Sequence, residues 1–587
     1  MKPRFKPENR ILSRRAAIAA GSAGLLVPAS STEADSNRQY AFRQDSDPAY
    51  PQAVTTTHFQ ATQAGADILR AGGSAADAAV AVAAALSVVE PYFSHVFGGG
   101  AWSLYYDAES GSVTSLDGVG PIGSNFTFED YSARVTQWGI HQANVPGAWD
   151  GWMLWLREHG RLTLPEILAP AIALAEEGIA VSQEMAAYMG RSYDVMAAHA
   201  PTSAVYMASG WFPAAGETIR FPDLAATFVA VGEAYSAAAD HAAGIQAARD
   251  YYYRGPLAEA IVTESDAGRG YLTLEDFAGF EAEIVDPISI AYGSSLRVYQ
   301  NPPNSQGITM LLALNTLTQF SHDGLSALST ETIHTQVEAT KLAFADRNAF
   351  IGDPDFVNTD VQLLLSAEYA ASQADRINMN RAMMWPENAP LTQMEPQNTT
   401  TFHVTDQWGN AAAVTTSLGL NYMVIGSTGI HINNRMTYTS PDPASPNFAE
   451  AGRKLRHTSC PYIVMRDDAP FIVGGNTGAD SQPQVQLQQL MAAIDFGMSA
   501  QEAIANPRWI ARSWVPSTYP HEVANDLQLE ASFPQSSVNG LANLGHNVYI
   551  GGINLGNGGM IKFDAGRESV SVGSEPRFTT AGSTILE

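Results

Sequence analysis

The residues best suited to chemistry sit in one stretch, Asn398-Thr-Thr-Thr-Phe-His-Val-Thr-Asp-Gln-Trp-Gly-Asn410. A threonine hydroxyl is a poor nucleophile at neutral pH and needs a base. A chain can supply one by cutting itself before the threonine, which frees an α-amine with a pKa of about 7.7–8.0. The threonines at 399–401 lead into an alternating apolar run, a turn at Trp408-Gly409-Asn410 and a second run from Ala411 to Leu418. β-Branched residues at alternating positions around a Gly-containing turn predict a β-hairpin. On these residues alone, the alternative is a strand that is merely rich in threonine.

Other chemistries are harder to build from this sequence. The one cysteine, Cys460, excludes an intramolecular disulfide and a cysteine metal cluster, and reads as a small buried hydrophobe. No two of the 13 histidines lie within four positions, so a helical two-histidine metal site is absent. His403 reads as a strand residue. Gly118, Gly120 and Gly123 match a dinucleotide-binding spacing, but Pro121 and the following Asn125-Phe-Thr-Phe-Glu-Asp130 do not open the helix it requires. A formal charge of −27 without a basic stripe argues against nucleic acid. No cofactor is called for.

The elements that must position the threonines follow from the rest of the 587 residues. Lys2, Arg4, Lys6 and Arg10, then Arg14-Arg15 before a short apolar run ending at Ala29, predict an export signal over 1–34 of the twin-arginine kind, with a Sec signal as the alternative. Removal is expected between Ala29 and Ala34, giving a periplasmic or secreted protein of bacterial origin with no membrane-spanning segment. The stretch Ala75 to Glu90, small and apolar all round with Asp77 in its first turn, predicts a buried helix. Gly98-Gly-Gly100 allows close backbone approach before a strand from Trp102. The middle of the chain is mostly helical, and polar, proline-containing residues 386–398 read as a linker that ends at the threonines.

The chain resembles the γ-glutamyltransferase family of N-terminal-nucleophile hydrolases over essentially its mature length. The resemblance rests on Ala71-Gly-Gly-Ser-Ala-Ala-Asp-Ala-Ala-Val80, the Gly98–Gly100 loop, Asn144-Val-Pro-Gly147, Pro302-Pro-Asn-Ser-Gln-Gly307, Lys341-Leu-Ala-Phe-Ala-Asp-Arg347 and Ser574-Glu-Pro-Arg577. It implies an α/β (α+β) fold, a four-layer αββα sandwich, and a precursor that cuts itself into a large subunit (35–398) and a small catalytic subunit (399–587) that stay together. The family's nucleophile lies seven residues before the aspartate of a D-x-x-G-N-A turn. Asp406 holds that place here, so the register selects Thr399, with Thr400 next, and the Asn398–Thr399 bond as the cut. The resemblance further implies that Ser417 hydrogen-bonds the nucleophile and that the amides of Gly478 and Ala479 form an oxyanion hole.

The departures cluster in the acyl pocket. Val119 stands where the γ-glutamyl enzymes carry an arginine for the substrate's α-carboxylate. Arg435 replaces a glutamine, Tyr438 an amine-binding aspartate and Gly419 an asparagine, while His457-Thr458 replaces a serine pair. Exchanging an acid for Arg435 reverses the local charge preference. A buried arginine needs a carboxylate from the protein or from the substrate. The segment Asp480-Ser-Gln-Pro-Gln484 resembles the oxamate amidohydrolase-type branch of the family. The expectation is an amidase for a compact acyl group, perhaps itself a carboxylate, acting on a small-molecule amide. The alternatives are a true γ-glutamyltransferase or glutathione hydrolase, and a catalytically silent binding protein on the same fold. Arg435 and His457 could also sit in a salt-bridged surface loop, and 438–458 could be a lid or an ordinary loop.

Overall fold

The computed structural model describes residues 50–383, 399–419, 422–518, 521, 523–551 and 556–586. The expected signal at 1–34, the linker at 386–398 and Asn398 lie outside the described residues. Among the described residues no helix is long and apolar enough to cross a membrane.

The threonine hairpin forms as strands Thr400–Thr405 and Ala411–Ser417. Asp406 fixes its turn: its carboxylate accepts from the amides of Trp408 and Asn410 and from the Asn410 side chain. The same carboxylate accepts from the Ala75 amide at 2.8 Å, which ties the hairpin to a helix start. That helix, Ala75–Val89, is buried along its whole length and opens with a capping box between Ser74 and Asp77. Alanine lets strand and helix backbones approach closely.

The hairpin lies inside an antiparallel sheet ordered Gly582–Leu586, Gln52–Thr56, Thr400–Thr405, Ala411–Ser417, Gly100–Asp107, Ser112–Gly118, Glu283–Val285. A second antiparallel sheet runs Val570–Ser574, Gly558–Phe563, Ala469–Asn476, Tyr462–Arg466, Leu296–Gln300, Ile288–Tyr292. Leu104, Ala411, Ala413, Ile463, Val473 and Ile561 pack between the two sheets. On the outer face of the first sheet, Phe402, Val404 and Val414 join the Ala75–Val89 helix in one core. On the outer face of the second, Val298, Val464 and Ile472 pack with residues of helices Gly307–Leu317, Thr330–Phe350 and Ser481–Ile494. The result is a four-layer αββα sandwich. Gly118 ends a strand, and Gly120 and Gly123 beyond it let backbones cross: a Cβ on Gly120 would stand 2.1 Å from the Val145 carbonyl oxygen.

Burial leaves several histidines reluctant to charge. Desolvation lowers His58 to about 4 and His403, His431 and His546 to about 3. The unfolded chain takes up these protons below about 6.5 while the native state does not, so each histidine costs stability as pH falls through that window. Burial raises Glu90 to about 7 and Asp77 to about 6, which acts in the opposite direction. The histidines are more numerous, so the melting temperature is expected to fall between pH 7 and pH 5. A thermal scan at the two values checks it; a rise on acidification would contradict the assignment.

Candidate active site

Register brings the first predicted pair together. Thr400 faces Thr416 across the hairpin, which sets Thr399 opposite Ser417 at the open end. Side chains alternate along a strand. Phe402 and Val404 enter the helix-side core, so Thr399, Thr401 and His403 face the second sheet. Gly475 on that sheet makes room for them: a Cβ there would meet Thr401 Oγ1 at 2.7 Å. Thr399 is 1% exposed, with Oγ1 3.4 Å from Ser417 Oγ and 3.5 Å from Gln482 Nε2. Such long contacts are usual in catalytic groups before substrate tightens them.

The predicted oxyanion residues lie where strand Ala469–Asn476 gives way to helix Ser481–Ile494. Gly478 and Ala479 both have positive φ, 108° and 46°. For alanine this left-handed conformation costs about 1–2 kcal/mol. The two amides find no acceptor among the described residues, and they stand at the positive end of a 14-residue helix.

A buried scaffold holds this loop. Gln306 Nε2 donates to the carbonyls of Ala479 and Thr458, both at 2.9 Å, and its Oε1 accepts from Arg347. Arg347, fully buried, pairs with Asp480 at 2.6 Å, and Ser517 donates to Asp480 from its amide and hydroxyl. Burial alone would raise the Asp480 carboxyl, but Arg347 and Ser517 more than offset it and hold the group below its ordinary value. Replacing Arg347 by methionine is expected to cost about 3–5 kcal/mol, because it strands the Asp480 charge. Urea unfolding measures this; a loss under about 1 kcal/mol would mean the pair is dispensable.

The departures from the γ-glutamyl pattern gather on the other side of Ser417. Arg435 is 1% exposed; its Nη1 donates to Ser417 Oγ and its Nη2 to Thr458 Oγ1, both at 3.2 Å. The guanidinium lies 3.7 Å from the centre of the Tyr438 ring. Among the described residues no carboxylate pairs with it, and its Nε is buried without an acceptor. Burial disfavours its charge, with Tyr438 the opposing influence. His457, also 1% exposed, accepts at Nδ1 from the Ser459 amide, which places its proton on Nε2. That Nε2 is buried without a partner, 3.3 Å from where a Cβ on Gly100 would stand, with Val119 beside it. Burial, then the Arg435 charge, keeps His457 neutral. The surface-loop alternative for Arg435 and His457 is therefore overturned. Gly419 is required, because at φ 86° a Cβ would meet Asn434 Oδ1 at 1.9 Å.

Residues 438–458 are strapped down. Gly452 and Arg453 exchange backbone bonds with Ile122, Lys454 donates from its amide to Asp353, and Lys454 Nζ lies 2.6 Å from Asp117 Oδ2. Together with Val515, Pro516 and Ser517 the segment, through Tyr438 and Arg456 among others, walls a cleft of about 360 Å³.

Sequence reasoning missed Gln482, Gln306 and Arg347. Gln306 and Arg347 fall inside motifs whose spacing was legible, but no residue pattern reveals that Arg347 props a loop 133 positions downstream. His334, Glu338 and His546 could also hold a cation, with ligand atoms within 4.8 Å of one another. They already satisfy each other: His334 Nδ1 lies 2.8 Å from His546 Nε2, and Glu338 binds Lys341 and the Met383 amide.

The sequence model described as gamma-glutamyltranspeptidase matches residues 61–585. The chain is similar to the glutathione hydrolase-like YwrD proenzyme of Bacillus subtilis, with 33% identity over 85% of this chain and 92% of that one. It is 32% identical to the oxamate amidohydrolase proenzyme of Klebsiella pneumoniae over 84% and 90% of the two chains. Among solved structures it resembles a cephalosporin acylase from Bacillus halodurans, with a TM-score of 0.80 and 31% identity over 94% and 99% of the chains.

Proposed function

The chain belongs to the gamma-glutamyltranspeptidase family and is an amidohydrolase or acyltransferase with proenzyme relatives, and on that premise we propose that Thr399 is the N-terminal nucleophile of an amidase whose acyl group carries a carboxylate. Cleavage of the Asn398–Thr399 bond would give subunits of about residues 35–398 and 399–587. In the mature enzyme the Thr399 α-amine takes the proton from Oγ1 as Oγ1 bonds to the substrate's amide carbon. Negative charge develops on the carbonyl oxygen, which would accept hydrogen bonds from the amides of Gly478 and Ala479. Collapse breaks the C–N bond, and the departing amine takes the proton back from the α-ammonium. Water, or another amine, then releases the acyl group by the same steps. Ser417, 3.4 Å from Thr399 Oγ1, keeps the hydroxyl oriented.

The observation that carries the substrate class is the pair of buried donors, Arg435 Nε and His457 Nε2, that lack a protein acceptor. A carboxylate on the acyl group satisfies both and neutralises the guanidinium. Val119 and Tyr438 remove the groups that would grip a γ-glutamyl α-carboxylate and α-amine. The name of the Klebsiella relative, an oxamate amidohydrolase, agrees with a compact anionic acyl group. A denaturing gel with N-terminal sequencing, followed by a screen of small amides, tests the proposal. Two bands, the smaller beginning at Thr399, and a preference for carboxylate-bearing amides over neutral and γ-glutamyl ones support it. A single uncut band in an active preparation would sink it.

A further inference from the structure

Thr399 also borders a second, differently furnished space. A small cavity of about 10 Å³, room for about one water, is lined by Thr399, Thr57, Glu90, Glu184 and the rings of Tyr92 and Tyr188, among others. Glu90, at the C-terminal cap of the Ala75–Val89 helix, is 5% exposed. Its Oε2 accepts from the hydroxyls of Thr57 at 2.6 Å and Thr400 at 2.7 Å. Oε1 accepts no hydrogen bond among the described residues. The bond from Thr400 pins the carboxyl one residue from Thr399, on the face of the strand opposite Ser417. The two threonine bonds fix the carboxylate through Oε2 alone.

Taking the proposed N-terminal threonine as given, we infer that Glu90 is the positioning residue for the mature Thr399 α-amine. Its carboxylate orients the amine toward the hydroxyl and stabilises the ammonium formed when the amine takes the Oγ1 proton. The proton stays on nitrogen until the leaving amine collects it, and Glu90 remains ionised throughout. This gives the nucleophile–base pair the third, orienting group that such pairs commonly have. The ionisable groups facing Glu90 across the cavity are Glu184, whose Oε1 already accepts from Thr579, and the phenols of Tyr92 and Tyr188. None of these is a cation. Burial pushes the Glu90 carboxyl up to about 7, against the two threonine hydrogen bonds, as expected of a buried acid still awaiting its positive partner.

The test is Glu90→Gln in the full chain, with mature protein confirmed by N-terminal sequencing. The expected result is a kcat about 10–100-fold lower with KM within about twofold, less than the about 10²–10⁴-fold of a lost acid–base group because Glu90 acts through the amine. A carboxylate beside an amine raises the amine pKa, so removing it should move the acid limb of the pH–rate profile about one unit lower. Unchanged kcat and an unmoved limb would reduce Glu90 to a helix cap and overturn the inference, while leaving the Thr399 assignment intact. Should Glu90→Gln fail to mature, Thr57→Val, which lies outside the Thr399 strand, removes one donor from Oε2. It should lower kcat with KM unchanged, and an unchanged kcat again overturns the inference. An uncut but active wild type would instead refute the Thr399 assignment itself.

Discussion

Thr399→Ala should leave one full-length band on a denaturing gel and no measurable amidase activity. The substitution removes the hydroxyl proposed to attack the Asn398 carbonyl, so the amine proposed as base would never be freed. Nucleophile and base are therefore lost together, and the expected fall is about 10⁴-fold or more, as for loss of a complete nucleophile–base unit. The fold should survive. Thr399 lies just outside strand Thr400–Thr405, and its contacts to Ser417 and Gln482 are long. A melting temperature within a few degrees of the uncut wild-type precursor separates a chemical loss from a structural one. Processing at Thr400 in the variant would show that the register argument selects the wrong threonine. That outcome is physically distinct, because Thr400 points into the helix layer and binds Glu90, away from Ser417.

Arg435→Met should invert selectivity. Charge-assisted hydrogen bonds are worth about 1.5–3 kcal/mol each, so kcat/KM on a carboxylate-bearing amide should fall about 10²-fold. The neutral isostere, which never used the charge, should change little. The same substitution should raise the melting temperature of the free enzyme, since a buried guanidinium without a carboxylate is a cost that methionine removes. Opposite signs for activity and stability mark a residue kept for its ligand. Equal losses on both amides together with a lower melting temperature would make Arg435 a structural group.

Much of the fold was legible because its signals are local. The period-2 run after Thr399 and the all-round apolar helix from Ala75, with Asp77 in its first turn, each declare their element within a few residues. The layer order came from the family resemblance, not from periodicity. In the site, Thr399, Ser417, Gly478 and Ala479 come from the family resemblance; the structure sets Thr399 beside Ser417 and Gln482, and the Gln482 backbone amide donates to the Ala479 carbonyl. The supports were not legible, because they depend on contacts between distant segments: Arg347 reaches Asp480, and Thr400 reaches Glu90. Burial decided the meaning of Arg435 and His457. Sequence alone could place them on a surface loop, and only packing shows two donors enclosed without acceptors.

The order of strands within the two sheets has one more consequence. Segments from before and after residue 399 alternate in the first sheet: Gln52–Thr56 lies between Gly582–Leu586 and Thr400–Thr405, and Gly100–Asp107 lies beside Ala411–Ser417. In the second, Leu296–Gln300 pairs with Tyr462–Arg466. A break before Thr399 would leave both products hydrogen-bonded through the same sheets. The proposed scissile bond would thus act as an inspection seal: Thr399 reaches Ser417 within its own hairpin, but it reaches Gln482 only once the second sheet and its helix have packed against that hairpin, so a misassembled chain would stay unarmed.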